Sequence, residues 1–334
     1  MTTMGLVAGV GMSTPLGLDA RQSALVLRAR KLSPGKTGHR DRRGNTIGDV
    51  RAIRIDDACK GRERLIQLAA PALVEATRGI GAAKGPIPLF LSLPPRRAEE
   101  EEPLGPDFLD LLGKRAGVAV ALPASEAVVL GHAGFAAALA RGLAALAAPG
   151  AGPCVVVGGV DSHHDPAVLA ALDKERRLHA EGAWNGFIPS EAAAFVVLAR
   201  QDAAPPIARV IAVATGMERE DGTEIGEAAT EVALRVAGAM RAPVPWVLPD
   251  VNGERHRVKE WSFVRIRNRS AFDEAKTIET RLYDELGDVG AASGAVHAAY
   301  ACMAFRLGFA PAPEALVTLA SEGPARGAFA LGAP

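Results

Sequence analysis

The sequence predicts an α/β fold, and three observations carry that prediction. Short apolar runs of strand length alternate with Ala-rich segments whose apolar residues keep helical spacing. The alternation recurs across two halves of the chain, which argues for layered sheet and helix. The 334 residues are 49% hydrophobic but only 4% aromatic, enough for a sizeable core of small side chains.

The elements run in order along the chain. Residues 5–10 form a first strand, closed by a turn at Ser13, Thr14 and Pro15. Residues 19–29 read as helix, and 31–45 as a basic, Gly-containing loop. Residues 62–80 read as helix, because Leu65, Ile66, Leu68, Ala69, Leu73 and Val74 share one face. A strand at 87–93 ends at Pro94 and Pro95, and the charge run 96–102 is a solvated loop. Residues 131–147 form a strongly helical Ala/Leu segment ended by Pro149 and Gly150. Strands come next at 154–157 and 194–198. Residues 201–206 mark a composition break, dividing an N-terminal half, 1–200, from a C-terminal half, 201–334. The second half repeats the logic: strand 207–214, helix 225–240, strand 245–250, strand 261–266, helix 294–307, strands 315–319 and 327–331.

Composition excludes several classes. Lys+Arg and Asp+Glu both number 38, so the formal net charge of zero argues against a dedicated nucleic-acid binder. Cys59, Cys154 and Cys302 have neither disulfide-framework nor CxxC spacing, so a reducing, cytoplasmic setting is expected. The N-terminus lacks the basic region of a signal peptide. The densest apolar segment, 135–148, is interrupted by Arg141 and falls short of the ~20 residues of a membrane helix.

Several constellations can carry chemistry. Gly9 and Gly11 follow a strand, but Thr14 stands where a dinucleotide fingerprint needs its third Gly, so a tight turn is expected. Residues 79–85 lack the GK[ST] of a P-loop. Asp161, His163, His164 and Asp165, with His179, are ligand types, but adjacent side chains diverge, and no metal is expected. His132 opens a helix and can line a pocket or bond local backbone. Ser125 is a candidate substitute nucleophile, with a loop or capping role as the plainer reading. The polar segment 252–260 directly follows a strand end, where open α/β sheets carry sites. Trp184, Trp246 and Trp261 read as packing anchors.

Four segments, in order, resemble the thiolase-fold β-ketoacyl synthases. VAGVGMSTPLG (7–17) is similar to that family's opening VTGxGxVTPLG, and VVVGGVDS (155–162) to its AGGAES-type turn. GFIPSEAAA (186–194) is similar to GFVxGEGAG, with Glu191 on the Glu, and GDVGAASGAV (287–296) to GHxxGAAGAV. The resemblance implies a five-layered αβαβα fold of two similar halves, usually a homodimer.

The departures are chemical. The family's nucleophile is a Cys three residues before a Gly that opens a long Ala-rich helix. Matching that Gly to Gly131 puts Val128 at the nucleophile position. The two active-site imidazoles fall on Glu254 and Asp288, and a carboxylate repels a developing oxyanion. The C-terminal glycine-rich loop is replaced by SEGPARG (321–327). The resemblance therefore implies no catalytic residues, no cofactor, and a residual pocket of Val128, His132, Asn252, Glu254, Asp288 and Ser293. NGERHRVKEW (252–261) is similar to short ketosynthase-like proteins encoded near type VI secretion cargo. That implies a scaffold or effector adaptor with a protein partner. The alternatives are an acyl-transfer enzyme meeting an acyl carrier protein, and an inactive subunit of a ketosynthase heterodimer. No nucleic-acid or membrane partner is expected.

Overall fold

The structure, a computed structural model, describes residues 5–29, 35–52, 54–78, 85–97, 104–180, 185–200, 205–219 and 225–334. In the first half the elements are β1 (Gly5–Ser13), α1 (Ala20–Ala29), β2 (Gly35–Arg40), β3 (Thr46–Asp49), α2 (Gly61–Thr77), β4 (Leu89–Leu93), α3 (Pro106–Ala116), β5 (Glu126–Val129), α4 (Gly134–Ala147), β6 (Cys154–Ser162), α5 (Pro166–Lys174) and β7 (Glu191–Ala199). The second half holds β8 (Ala208–Met217), α6 (Glu227–Ala237), β9 (Trp246–Pro249), α7 (Arg255–Arg267), β10 (Ile278–Glu279), α8 (Tyr283–Leu286), α9 (Ser293–Arg306), β11 (Glu314–Ala320) and β12 (Ala325–Gly332).

Among the described residues, ten strands join in the order β10-β9-β11-β12-β8-β1-β7-β6-β4-β5. Outward from the β1–β8 seam, each half has the same order of strands. The seam itself is short, pairing Gly5, Leu6 and Val7 with Val210, Arg209 and Ala208. Helices α2 and α3 cover one face of the first half-sheet with a core of Leu68, Leu73, Phe108 and Phe195. Helices α6 and α7 cover the second half-sheet around Val236, Trp261 and Leu316. Between the half-sheets lie α4 and α9, packed in one core with strands of both. The order is therefore αβαβα, as the resemblance implied.

Chain chemistry explains these positions. Residues 293–304 of α9 are all buried. A helix apolar on every side has to be surrounded. β6 and β7 are buried along nearly their whole length because helices cover both faces. Gly9 and Gly11 let β1 approach α2: a Cβ there would sit 2.1 Å from the Ala76 carbonyl oxygen and 1.9 Å from that of Ala72. That close approach is what the GxG spacing serves.

Several expectations are corrected. Residues 261–266 are not a strand but part of α7. Arg257, Trp261 and Val264 are its buried residues, at helical spacing, and Phe263 lies between the cations of Lys259 and Arg267 a turn away on either side. The described part of the 31–45 loop includes β2, which pairs with β3. Helices α3 and α5 were not anticipated, because short, charged segments gave weak periodicity. Trp246 and Trp261 are buried; Trp246 donates to Thr280 Oγ1 at 2.9 Å and Trp261 packs on Phe272. Trp184, 31–34, 79–84, 98–102 and 201–204 lie outside the described residues. Among those described, no helix is long and apolar enough to cross a membrane.

Candidate functional site

β4, β5 and β6 run parallel, as do β9, β10 and β11. The carboxyl ends of β4, β5, β6 and β11 open on a cleft of about 310 Å³. Two left-handed glycines set the turns beside it, and Gly131 lines it. Gly131 (φ 69°) and Gly290 (φ 53°) open single 3-10 turns, residues 131–133 and 290–292, that lead into α4 and α9. A side chain at Gly290 is excluded, since its Cβ would lie 1.9 Å from Asp161 Oδ2.

His132 and Asp288 project from these two segments and meet. His132 Nε2 donates to Asp288 Oδ1 at 2.8 Å, and Gly290 N–H donates to the same oxygen at 2.7 Å. Asn252, just past β9, donates from Nδ2 to Asp288 Oδ2 at 2.6 Å and to Glu254 Oε2 at 3.0 Å. Arg177 closes the chain with a two-pronged bond to Glu254, at 2.9 and 2.8 Å, and reaches Glu322 at 2.8 Å. The result is a continuous polar network in which each carboxylate faces a cation or amide donor.

Burial alone would raise the Asp288 carboxyl, but the charge and hydrogen bond of His132 outweigh it and hold it well below the carboxylate range. Burial disfavours the His132 cation, yet the Asp288 carboxylate reverses that balance and leaves the ring above the ordinary histidine value. Both shifts favour the charged forms, imidazolium against carboxylate. Burial instead dominates His163, which is lowered; its Nδ1 donates to the Ser190 carbonyl at 3.2 Å. Asp161 is held down because Arg97 and the Ala291 N–H outweigh burial.

Of the anticipated pocket residues, His132 and Asp288 line the cleft, and Asn252 and Glu254 join the same network. Ser293 lines a separate small gap with Asn252, Asp288 and His297. Val128 does not reach the cleft: it is buried in β5, paired with Ser92 of β4. The Ala-rich α-helix begins at Gly134, so counting back three residues from its first glycine lands on Gly131. Arg177, Glu322 and Arg97 were missed, and His163 was weighed only as a metal ligand. The first two sit in short charged segments that gave no signal beyond solvation.

Nucleophiles are scarce. The three thiols are raised by burial, Cys302 to about 12, and none lines the cleft. Ser125 Oγ is committed to backbone, donating to Ala121 and accepting from Leu89 N–H. Ser321 Oγ bridges the Leu130 carbonyl and the Ala133 N–H. The 161–165 side chains diverge: Asp161 to Arg97, His163 to Ser190, His164 to Val50. Glu254, His256 and Glu322 bring ligand-type atoms within 4.8 Å of one another, but Arg177 already occupies both carboxylates.

This architecture, with its site at the strand ends, is the thiolase-like fold of the ketosynthases. Similar solved structures include an oxazolomycin ketosynthase domain from Streptomyces albus JA3453, with TM-score 0.78 and 13% identity, covering 98% of this chain and 75% of that one. A type II polyketide ketosynthase in complex with its acyl-carrier protein gives 0.77 at 13% identity, covering 100% of both chains. A ketosynthase with its chain length factor from Xenorhabdus doucetiae gives 0.75 at 15%, covering 98% of each. No protein-family model and no curated protein matches the chain.

Proposed function

We propose that this chain is a non-condensing, ketosynthase-like scaffold that works through a protein partner. The observation that supports it most is Gly131 at the strand-to-helix turn. Among the described residues no thiol or unengaged hydroxyl lines the cleft, and its would-be imidazole positions carry Glu254 and Asp288, both locked in ion pairs. A ketosynthase has to form an acyl-enzyme at that turn and stabilise an oxyanion there. A glycine supplies no nucleophile, and two carboxylates oppose the charge. A fold without its reactive groups still offers surfaces. The type VI effector-adaptor role and a cytoplasmic homodimer belong to this reading. The adaptor role rests on the likeness of NGERHRVKEW alone.

A second reading is an inactive subunit of a ketosynthase heterodimer. It is favoured by the ketosynthase–chain length factor complexes among the similar structures, which match this chain over its whole length. One experiment tests both. The purified chain is incubated with acyl carrier thioester and its intact mass is measured, alone and with a ketosynthase partner. No adduct is expected; a stoichiometric acyl adduct on this chain overturns both readings.

A further inference from the structure

Helix α7, which starts within the NGERHRVKEW segment and runs on to Arg267, is unlike any other outer helix of the fold. Between 255 and 269 the chain carries Arg255, Arg257, Lys259, Arg265, Arg267 and Arg269 against the single acid Glu260. The protein as a whole has zero net charge, so this is a local concentration. Its acids face inward: Glu260 is held by Arg326 at 2.7 and 2.8 Å, and Glu254, at the N-cap, by Arg177. Buried Arg257 is turned to the Asp250 and Ala320 carbonyls. What remains outside is a stripe of Arg255, Val258, Lys259, Ser262 and Ile266, at the spacing of one helix face, followed by exposed Arg269 in the turn after α7.

The stripe combines charge with grease. Ile266 is 66% exposed and Val258 40%. No carboxylate lies within ion-pair distance of Arg255, Lys259, Arg267 or Arg269 among the described residues. Lys259 and Arg267 both lie over the Phe263 ring, at 5.9 and 5.3 Å from its centroid, and Arg267 donates to the Ile225 carbonyl. They are therefore oriented rather than loose. Beside the stripe runs a groove of about 610 Å³, floored by Trp261 and Phe272. Its cations Arg265 and Arg281 share Glu279, and Asp273 pairs with Lys276, while Glu274 stands exposed on the far wall.

We propose that the outer face of α7 and its groove dock an acidic amphipathic helix of a protein partner. This rests on the partner-dependent reading above and names the surface and partner chemistry. Val258 and Ile266 are eight residues apart, about 12 Å along the helix axis. That matches two apolar anchors about two turns apart, at i and i+7 or i+8, on a helix lying along the groove, flanked by acids that meet the unpaired cations. Nucleic acid is the less favoured occupant. The cations form one narrow stripe interrupted by exposed aliphatic side chains, which a phosphate backbone cannot use.

The test uses the full chain and a fluorescein-labelled helical peptide of Leu, Ala and Glu, with Leu on one face. Its Lys-for-Glu counterpart, a DNA duplex and phosphatidylglycerol vesicles are run in parallel. Fluorescence anisotropy is expected to show saturable, salt-sensitive binding of the Glu peptide. Lys259→Glu with Arg267→Glu and Arg269→Glu is expected to weaken it about tenfold or more and to admit the Lys peptide. Ile266→Ala is expected to weaken it about fivefold. Lys259→Gln with Arg269→Gln, a milder pair, is expected to fall between, and circular-dichroism melts establish that each variant is folded. The proposal is overturned if the Glu peptide does not bind, if the reversed variant binds it equally, or if duplex or vesicles bind in preference. An acyl adduct refutes the scaffold reading whatever the peptide does; failed peptide binding without an adduct refutes only this surface.

Discussion

Asp49→Asn should make the protein more stable at neutral pH, and the cause is local. His164 Nε2 donates to the Val50 carbonyl at 3.1 Å, so in the neutral ring Nδ1 is a bare acceptor. Asp49 Oδ2 lies 3.7 Å from that nitrogen, and both atoms are buried without a well-directed hydrogen bond. Two acceptors therefore face each other unless a proton lies between them. Burial first, with Glu191 adding to it against the pull of Arg51, raises the Asp49 carboxyl from its ordinary 3.8 to about 6. Burial likewise lowers His164 to about 4, so the ring is neutral across this window. A carboxyl raised on folding costs stability as it ionises: nothing below its unfolded value, and the full amount above its folded one. At about 1.4 kcal/mol per pH unit, that cost reaches about 3 kcal/mol above pH 7. Asn removes it and donates to Nδ1; the attraction of partly exposed Arg51, 3.2 Å away, is already included in that figure. The expected gain is about 3 kcal/mol at pH 8, shrinking to nothing near pH 4. Urea unfolding of both proteins across that range measures it. A variant no more stable at pH 8, or a gap that ignores pH, would rule out the facing acceptors as a source of instability.

Three further outcomes are expected from the geometry. Asp288→Ala leaves buried His132 without its acceptor and Asn252 with only one of its two, and should cost about 3–5 kcal/mol by calorimetry, whereas replacing His132 and Asp288 together by apolar residues should recover much of it. That pair contributes most between about pH 4 and 6.5; its contribution falls away below as Asp288 protonates and above as His132 loses its proton, and a flat profile would contradict the ion pair. Gly11→Ala forces a Cβ to within 1.9 Å of the Ala72 oxygen and should destabilise by about 3 kcal/mol or more in a thermal melt, so wild-type melting would contradict the β1–α2 contact. Gly131→Cys should react with iodoacetamide in the folded protein while Val128→Cys, buried in β5, should not; equal labelling would place the turn elsewhere.

The layers were legible because burial on both faces writes itself as unbroken apolar runs, as in β6, β7 and α9. The sites of error share a cause. α7 puts Trp261, Phe263, Val264 and Ile266 into a strand-like alternation, and only the tertiary partners Phe272 and Glu279 reveal the helix. The 3-10 turn at 131–133 delays the α-helix to Gly134, so a count from the first glycine of the segment overshot into β5 and picked Val128. Asp288 and Glu254 were readable as carboxylates in place of imidazoles. Arg177, which pairs with Glu254, and Glu322, which shares that arginine, were not, since an ion pair spanning more than seventy residues leaves no local pattern.

The short seam between β1 and β8 has a consequence for how the molecule can be divided. Three paired residues contribute little cohesion, so what joins the halves is the pair of helices they share. A chain cut near residue 200 would leave each fragment with one face of α4 or α9 stripped to solvent. The fragments should be insoluble apart and should recover the fold only when expressed together, which makes this chain a candidate for a split reporter whose reassembly is driven by its middle layer.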